Sequence, residues 1–131
     1  MADRPASSPG IPAQLRWFIW GLFLAAWTAA LLTPQPVYIA DTLLPEESRF
    51  TAAKSLHVTA YAVLAILSGW LRTPAPWPRL LLIFLCLHAM ATEYLQGFVP
   101  PRGPSLEDVG FDHIGICWGI ILSWRLWREG S

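Results

Sequence analysis

The chain has 131 residues, of which 54% are hydrophobic and only 14% are charged, and its formal net charge is zero. A soluble domain carries about 25% charged residues, so this composition provides too little charge to cover a water-exposed surface. The neutral balance excludes a nucleic-acid binder, which needs a basic surface. The two cysteines provide no disulfide framework. The composition therefore indicates a small integral membrane protein.

Four apolar segments follow one another along the chain. A helix needs about 20 residues to cross a bilayer, with a range of about 17–25. We predict an all-α bundle of four transmembrane helices, over residues 15–33, 51–71, 80–98 and 106–127. Residues 1–13, rich in Pro and Ser, predict a disordered tail before a four-helix domain over 14–127. The first segment also resembles a signal peptide, but its apolar run is long for one.

The basic residues predict the orientation, because positively charged loops stay on the cytoplasmic side. With four spans, both termini lie on one side of the membrane. That side would hold six arginines, which are Arg4, Arg16, Arg72, Arg79, Arg125 and Arg128. The other side would hold Arg49, Lys54 and Arg102. We therefore expect the N and C termini in the cytoplasm.

Polar side chains interrupt the last three segments near one end of each. Within a segment they are three or four residues apart, which places them on one helical face. Hairpin connections bring the start of the second span, the end of the third and the start of the fourth to the same membrane face. Ionisable residues within spans cost about 2.5–3.5 kcal/mol each on insertion scales and are typically functional. The predicted site consists of Lys54, His57, Tyr61, Glu93, Gln96, Arg102, Asp108 and Asp112.

Several of these residues also have a purely structural interpretation. Ser105 and Asp108 are three residues apart and resemble a helix-capping box. Lys54 is long enough to snorkel to the interface, and a tyrosine such as Tyr61 more often packs than reacts. Deeper in the third span, His88 points away from Glu93, and we interpret it as a structural hydrogen-bonding residue.

Two further features complete the sequence pattern. Gly115 and Gly119 are four residues apart, which favours a close helix–helix contact. Imidazole and carboxylates also suit zinc or manganese, but the neighbouring cations argue against a metal site, so we predict no metal and no cofactor. The candidate metal ligands are His57, Glu93, Asp108 and Asp112.

Three motifs occur in order: Lys54-x-x-His57-x-x-x-Tyr61, Glu93-x-x-Gln96-x-Phe98-x-Pro100-x-Arg102 and Asp108-x-x-x-Asp112-x-x-Gly115-x-x-x-Gly119. Together they resemble the VanZ-like family of bacterial membrane proteins. The resemblance covers residues 14–127 and implies a multi-pass, four-helix protein of the bacterial plasma (inner) membrane. The founding member is associated with low-level resistance to the lipoglycopeptide teicoplanin. This chain departs from the family at Asp112, where members usually carry Asn.

The leading functional hypothesis is a binding site for an anionic, lipid-linked or envelope-derived headgroup at the outer leaflet. Lys54 and Arg102 would donate to the anion, and Glu93 and Asp108 would orient these two cations. The N-termini of the second and fourth spans would add positive partial charge. The expected partners are membrane lipids, a lipid-linked cell-wall precursor or a lipoglycopeptide. Through such binding the protein would influence the susceptibility of the cell to lipoglycopeptides.

Two alternatives come from other classes of protein. In an intramembrane enzyme that modifies an envelope lipid, Glu93 or His57 would be the general acid or base, although the sequence shows no activated nucleophile. In a structural or partner-binding protein, the polar cluster would only hold the helices together. A proton-coupled transporter is a weaker option, because four short spans would need an oligomer to form a pathway.

Overall fold

The computed structural model describes residues 10–129, and within this range the regular structure is entirely helical. Its helices are α1 (Ala13–Leu32), α2 (Gln35–Leu43), α3 (Glu46–Trp70), α4 (Trp77–Gln96), α5 (Leu106–Leu122) and α6 (Trp124–Glu129). The all-α prediction is therefore confirmed for the described residues. Of the predicted disordered tail, residues 1–9 lie outside them, and Ala13 already begins α1.

Prolines determine where several of these helices begin and end. α1 ends at Leu32, because Thr33 precedes Pro34 and takes an extended backbone. Pro45 and Pro76 stand immediately before α3 and α4. A proline at a helix start leaves no helical hydrogen bond unmade, so it can end the preceding loop without disturbing the helix.

The four long helices run alternately up and down. The guanidinium of Arg16, near the start of α1, donates to the carbonyl of Trp70 at the end of α3, at 3.1 Å. The indole rings of Trp17 and Trp77 lie edge to face with their centroids 6.3 Å apart, which places the starts of α1 and α4 together. As a result, α2 and the ends of the helices that carry the predicted polar residues share one end of the bundle. We call this the polar end.

α5 runs parallel to α3 and packs chiefly against it. Two glycines allow the close approach: a Cβ on Gly115 would lie 2.4 Å from the carbonyl oxygen of Val58, and a Cβ on Gly119 would lie 2.4 Å from that of Ala62. The predicted close helix contact is confirmed, and its partner is α3. The contact also fixes which residues of α3 and α5 face each other at the polar end.

Three helices, α1, α3 and α4, are long and apolar enough to cross a membrane. α5 has only 17 residues, and the helix predicted over 106–127 is interrupted at Ser123. The hydroxyl of Ser123 donates to the carbonyl of Gly119 at 2.6 Å, and the Ser123 backbone leaves helical geometry. Bonds of this kind compete with the helical pattern, and α6 follows as a separate short helix.

The other boundaries differ from the sequence prediction by a few residues, and one helix was not predicted. α3 begins at Glu46 rather than at residue 51, and α4 covers Trp77–Gln96 rather than 80–98. α2 lies in the segment between the first two predicted spans, for which no helix was predicted. Its position beside α3 proves important for the site.

Candidate functional site

At the polar end, Lys54 forms ion pairs with two carboxylates at the start of α5. Its ammonium binds the carboxylate of Asp108 and lies 3.6 Å from that of Glu107. The ammonium also lies 5.0 Å from the centre of the Phe50 ring. The positive charge of Lys54 is therefore compensated within the protein, and Asp108 is one of the two acids that we expected to orient the predicted cations.

His57 and Asp112 form a second, more deeply buried pair between the same two helices. Nδ1 of His57 lies 2.7 Å from Oδ1 of Asp112, and both residues are buried. The other carboxylate oxygen, Oδ2, is buried and has no hydrogen-bond partner among residues 10–129. The indole of Trp27 lies edge to face with the imidazole, with ring centroids 5.6 Å apart. With Nδ1 engaged by Asp112, Nε2 is the imidazole nitrogen that is left for a ligand.

Glu93 reaches from the end of α4 to the start of α5. Its Oε1 accepts a hydrogen bond from the backbone N–H of Ser105 at 2.6 Å. The Ser105 hydroxyl in turn accepts from the N–H of Asp108 at 3.3 Å, which confirms the predicted helix cap. In a complete capping box Asp108 would accept from the Ser105 N–H. Here Glu93 is the acceptor of that N–H, so the Asp108 carboxylate is available for Lys54.

Arg102 binds the end of α1, a contact that the sequence did not predict. Its Nη2 and Nε donate to the carbonyls of Ala30 and Thr33, at 2.8 and 3.0 Å. These carbonyls have no partner within the helix, and the guanidinium satisfies them. Burial lowers the pKa of Arg102, whereas the nearby carboxylates of Glu93 and Asp108 raise it. An arginine remains protonated in proteins, so the side chain keeps its positive charge.

Tyr61 lies further from the polar end than Lys54 and His57, and it belongs to a hydrogen-bond chain across three helices. Its hydroxyl lies 2.9 Å from Nδ1 of His88, and Nε2 of His88 lies 2.9 Å from the hydroxyl of Thr28. Because Thr28 donates its own proton to the Leu24 carbonyl, it accepts from His88, and His88 in turn accepts from Tyr61. The interpretation of His88 as a structural hydrogen-bonding residue is confirmed. Tyr61 is fully buried and packs between α1 and α4.

Gln96 is buried at the same end of the bundle, and its Nε2 finds no acceptor in the described chain. The predicted residues thus form several separate contacts. Lys54 and Asp108 are one pair, and His57 and Asp112 are another. Glu93, which we expected to orient the cations, lies near Arg102 but makes its hydrogen bond to the start of α5.

A cavity of about 280 Å³ lies beside His57 and is lined mainly by α1, α2 and α3. We call it the α2 cavity. Its walls are mainly apolar, and its polar or charged lining residues are Asp41, Arg49, His57 and Arg102. It therefore joins two of the predicted site residues, His57 and Arg102, with two that the sequence analysis did not select.

Arg49 attaches α2 to the start of α3. Its Nη1 lies 3.1 Å from the carboxylate of Asp41, Nη2 donates to the Asp41 carbonyl at 2.8 Å, and Nε donates to the Leu44 carbonyl at 3.1 Å. The signal that could have revealed α2 is the apolar stretch after Pro36, a residue that favours a helix start. This helix was missed because it is short and lies between prolines.

Within residues 10–129, no three His, Cys, Asp or Glu side chains are grouped so that they could hold a metal ion. In comparisons with protein-family models, curated proteins and solved structures, nothing matches this chain. The resemblance to the VanZ-like family therefore stays a prediction, and the functional argument depends on the site itself.

Proposed function

We propose that the chain is a four-span membrane protein whose α2 cavity binds the anionic headgroup of a membrane lipid or lipid-linked envelope precursor. The cavity itself carries the proposal, because its apolar wall is interrupted by two arginines, one histidine and a single acid. An amphiphile has the matching chemistry. Its apolar part would lie against the wall, and its charged group would meet Arg49, Arg102 and His57.

The exposed surface supports a membrane location. Large apolar side chains point outward along the bundle, for example Phe18, Leu87 and Trp118, each more than half exposed. Soluble proteins rarely expose contiguous apolar patches of large area. α5 is at the lower end of the length of about 17–25 residues that a span needs, and we propose it as the fourth span.

The balance of charge in the cavity favours an anion. Asp41 compensates Arg49, while Arg102 makes its hydrogen bonds to neutral carbonyls of α1. Arg102 is thus a cation of this wall that forms no direct ion pair within residues 10–129, although the carboxylates of Glu93 and Asp108 lie near it. Because arginine can bind phosphate through two parallel hydrogen bonds, a phosphate-bearing headgroup suits this wall better than a neutral one.

We further propose that the polar end faces outward from the bacterial plasma membrane and that both termini are cytoplasmic. The opposite end carries Arg16, Arg72 and Arg79, together with the arginines of α6. This excess of arginine is typical of the cytoplasmic side. The bound headgroup would then belong to the outer leaflet.

Lipid retention tests this function. The purified protein, in detergent, would be incubated with an equal mixture of phosphatidylglycerol and phosphatidylcholine, and the retained lipid measured by mass spectrometry. We expect phosphatidylglycerol to be retained preferentially, and Ala53→Phe, which fills the cavity, to reduce its retention about tenfold, corresponding to about 1.4 kcal/mol. Ala91→Phe, on the exposed face of α4, is the matched control. Equal retention of the two lipids by the wild type would contradict the proposal.

A second candidate function, an intramembrane enzyme, is favoured by the His57–Asp112 pair. The carboxylate orients the imidazole through Nδ1, so Nε2 is the nitrogen placed to act as a general base on a group in the cavity. Arg102, in the same wall, would stabilise developing negative charge.

Lipid profiling separates the enzyme from the binding protein. Cells without the protein would be compared with cells that express the wild type, His57→Gln or His113→Gln. The control residue His113 donates from Nδ1 to the Val109 carbonyl and does not line the cavity. An enzyme predicts a lipid species that changes only with the wild type and His113→Gln. Identical lipid pools in all four cultures would rule out the enzyme.

A further inference from the structure

A groove on another side of the polar end lies between α4 and α5. Its volume is about 340 Å³, and it shares no lining residue with the α2 cavity. Its apolar wall includes Met90, Tyr94, Leu106 and Val109, and its polar lining residues are Glu93 and Ser105. We call it the α4–α5 groove.

Glu93 is the charged residue of this groove, and half of its carboxylate has no partner. The residue is only 3% exposed. Its Oε1 accepts from the Ser105 N–H, whereas Oε2 is buried and has no hydrogen-bond donor among the residues that the structure describes. A buried carboxylate oxygen is unfavourable without a donor, so a donor placed at Oε2 would stabilise this site.

The nearby cations do not supply that donor. Lys54 is bound by Asp108 and Glu107, and Arg102 donates to the carbonyls at the end of α1. None of the residues lining the groove is Lys, Arg or His. A ligand that enters the groove is therefore the available source of a positively charged donor.

The opening of the groove indicates what kind of ligand enters. Met90, Tyr94 and Leu106 are 54%, 68% and 92% exposed, so the apolar wall continues onto the outside of the bundle. Glu93 lies near the end of its helix, which in a membrane is close to the headgroup level. The site thus combines an acid at headgroup depth with an apolar path towards the acyl chains.

We propose that the α4–α5 groove binds the primary ammonium group of an aminophospholipid. The ammonium donates to Oε2 of Glu93, and an acyl chain lies along Met90 and Leu106. This proposal rests on the proposed membrane location but not on anion binding in the α2 cavity. The protein then has two lipid sites of opposite charge preference at one membrane face.

Carbodiimide labelling tests the proposal. Dicyclohexylcarbodiimide modifies carboxyl groups in apolar surroundings, and the labelled residue is identified by peptide mass spectrometry. The protein would be placed in nanodiscs of phosphatidylglycerol mixed with either phosphatidylethanolamine or phosphatidylcholine, whose quaternary ammonium has no N–H. We expect phosphatidylethanolamine to slow the labelling of Glu93 about tenfold relative to phosphatidylcholine. Equal labelling rates in the two mixtures would overturn the proposal.

Variants separate this site from the α2 cavity. Glu93→Gln and Val109→Phe should each reduce the phosphatidylethanolamine that the detergent-purified protein retains. Val109→Phe fills the groove without changing the acid, so the test does not depend on the folding of Glu93→Gln alone. Glu107→Gln, at a largely exposed acid that lies outside the groove, should retain as much as the wild type.

Ala53→Phe should leave phosphatidylethanolamine retention unchanged, because Ala53 belongs to the α2 cavity. Loss of phosphatidylglycerol retention alone in Ala53→Phe, together with loss of phosphatidylethanolamine retention alone in Val109→Phe, would support two separate sites. If Val109→Phe and Glu93→Gln both retain phosphatidylethanolamine as the wild type does, the groove is not its site, whatever the result in the cavity.

Discussion

At the residue scale, the buried pair of His57 and Asp112 shows how a carboxylate oxygen in place of an amide nitrogen changes the strength of a hydrogen bond. Asp112 stands at the position where a resemblance to the VanZ-like family would predict Asn, and its carboxylate lies 2.7 Å from His57. A hydrogen bond to a charged group contributes about 1.5–3 kcal/mol, compared with about 0.5–1.5 kcal/mol between neutral groups. The charge of Asp112 therefore strengthens a contact that an amide could also make.

This comparison gives a prediction for two substitutions. Asp112→Asn keeps an acceptor for His57 and should lower the unfolding free energy by about 1 kcal/mol. Asp112→Ala leaves the buried imidazole without its partner and should cost about 1–3 kcal/mol, the penalty for an unsatisfied buried polar group. Thermal unfolding in detergent measures both. A larger loss for Asp112→Asn than for Asp112→Ala would show that the contact is not the source of stability.

At the scale of the helices, the α3–α5 contact holds the polar end together. The Lys54–Asp108 ion pair and the His57–Asp112 contact are both formed between these two helices, and the glycines of α5 allow the backbone of α3 to approach. The position of the site residues thus depends on residues that carry no functional group.

Gly115→Ala should therefore destabilise the protein, because the added methyl group would lie 2.4 Å from the backbone carbonyl of Val58. Overpacking of this kind costs about 1–3 kcal/mol. Gly110→Ala, in the same helix, is the matched control, since a Cβ there meets nothing within 4 Å. Alanine is also the better helix former, so the control should keep or slightly increase the midpoint temperature of unfolding. Equal midpoints for the two variants would contradict the close-contact interpretation.

The attachment of α2 is a second feature at this scale. Removing the three hydrogen-bonding or ionic contacts of the Arg49 side chain should loosen α2 without unfolding the bundle. For Arg49→Gln we expect faster amide exchange across residues 37–44 and unchanged exchange in α4, measured by hydrogen–deuterium exchange in nanodiscs. Arg72→Gln is the control, because it removes an exposed ion pair with Glu129 at the other end. Unchanged exchange in α2 would mean that the cavity wall is held by apolar packing instead.

For the whole molecule, the up-and-down arrangement places α2 and the α4–α5 connection on one side and the α3–α4 connection on the other. With cysteines introduced singly at Glu47, Gly103 and Ala75 in a variant without Cys86 and Cys117, a membrane-impermeant maleimide should label Glu47→Cys and Gly103→Cys from outside intact cells. Ala75→Cys should react only after permeabilisation. Labelling of Gly103→Cys from the side of Ala75→Cys would contradict four spans, because α4, the helix between these two positions, would then not cross the membrane.

Much of the architecture follows from local patterns in the sequence. Runs of apolar residues indicate the long helices, prolines mark their starts, and spacings of three and four place the polar residues on defined faces. Hairpin connectivity then predicts which helix ends meet. These inferences hold because hydropathy and helical periodicity act within one segment and need no knowledge of its neighbours.

Only the tertiary structure shows which of the polar side chains contact each other. The sequence placed Lys54, Glu93 and Arg102 at one end, but it did not show that Asp108 binds Lys54, that Glu93 caps α5 or that Arg102 caps α1. These contacts depend on the rotation of each helix and on the glycine-dependent approach of α5 to α3, between residues more than 50 positions apart in two of the cases. The α2 cavity likewise exists only because a short helix, missed in the sequence, is held against α3. Periodicity within one helix determines a face and an end, whereas packing between helices determines the partner.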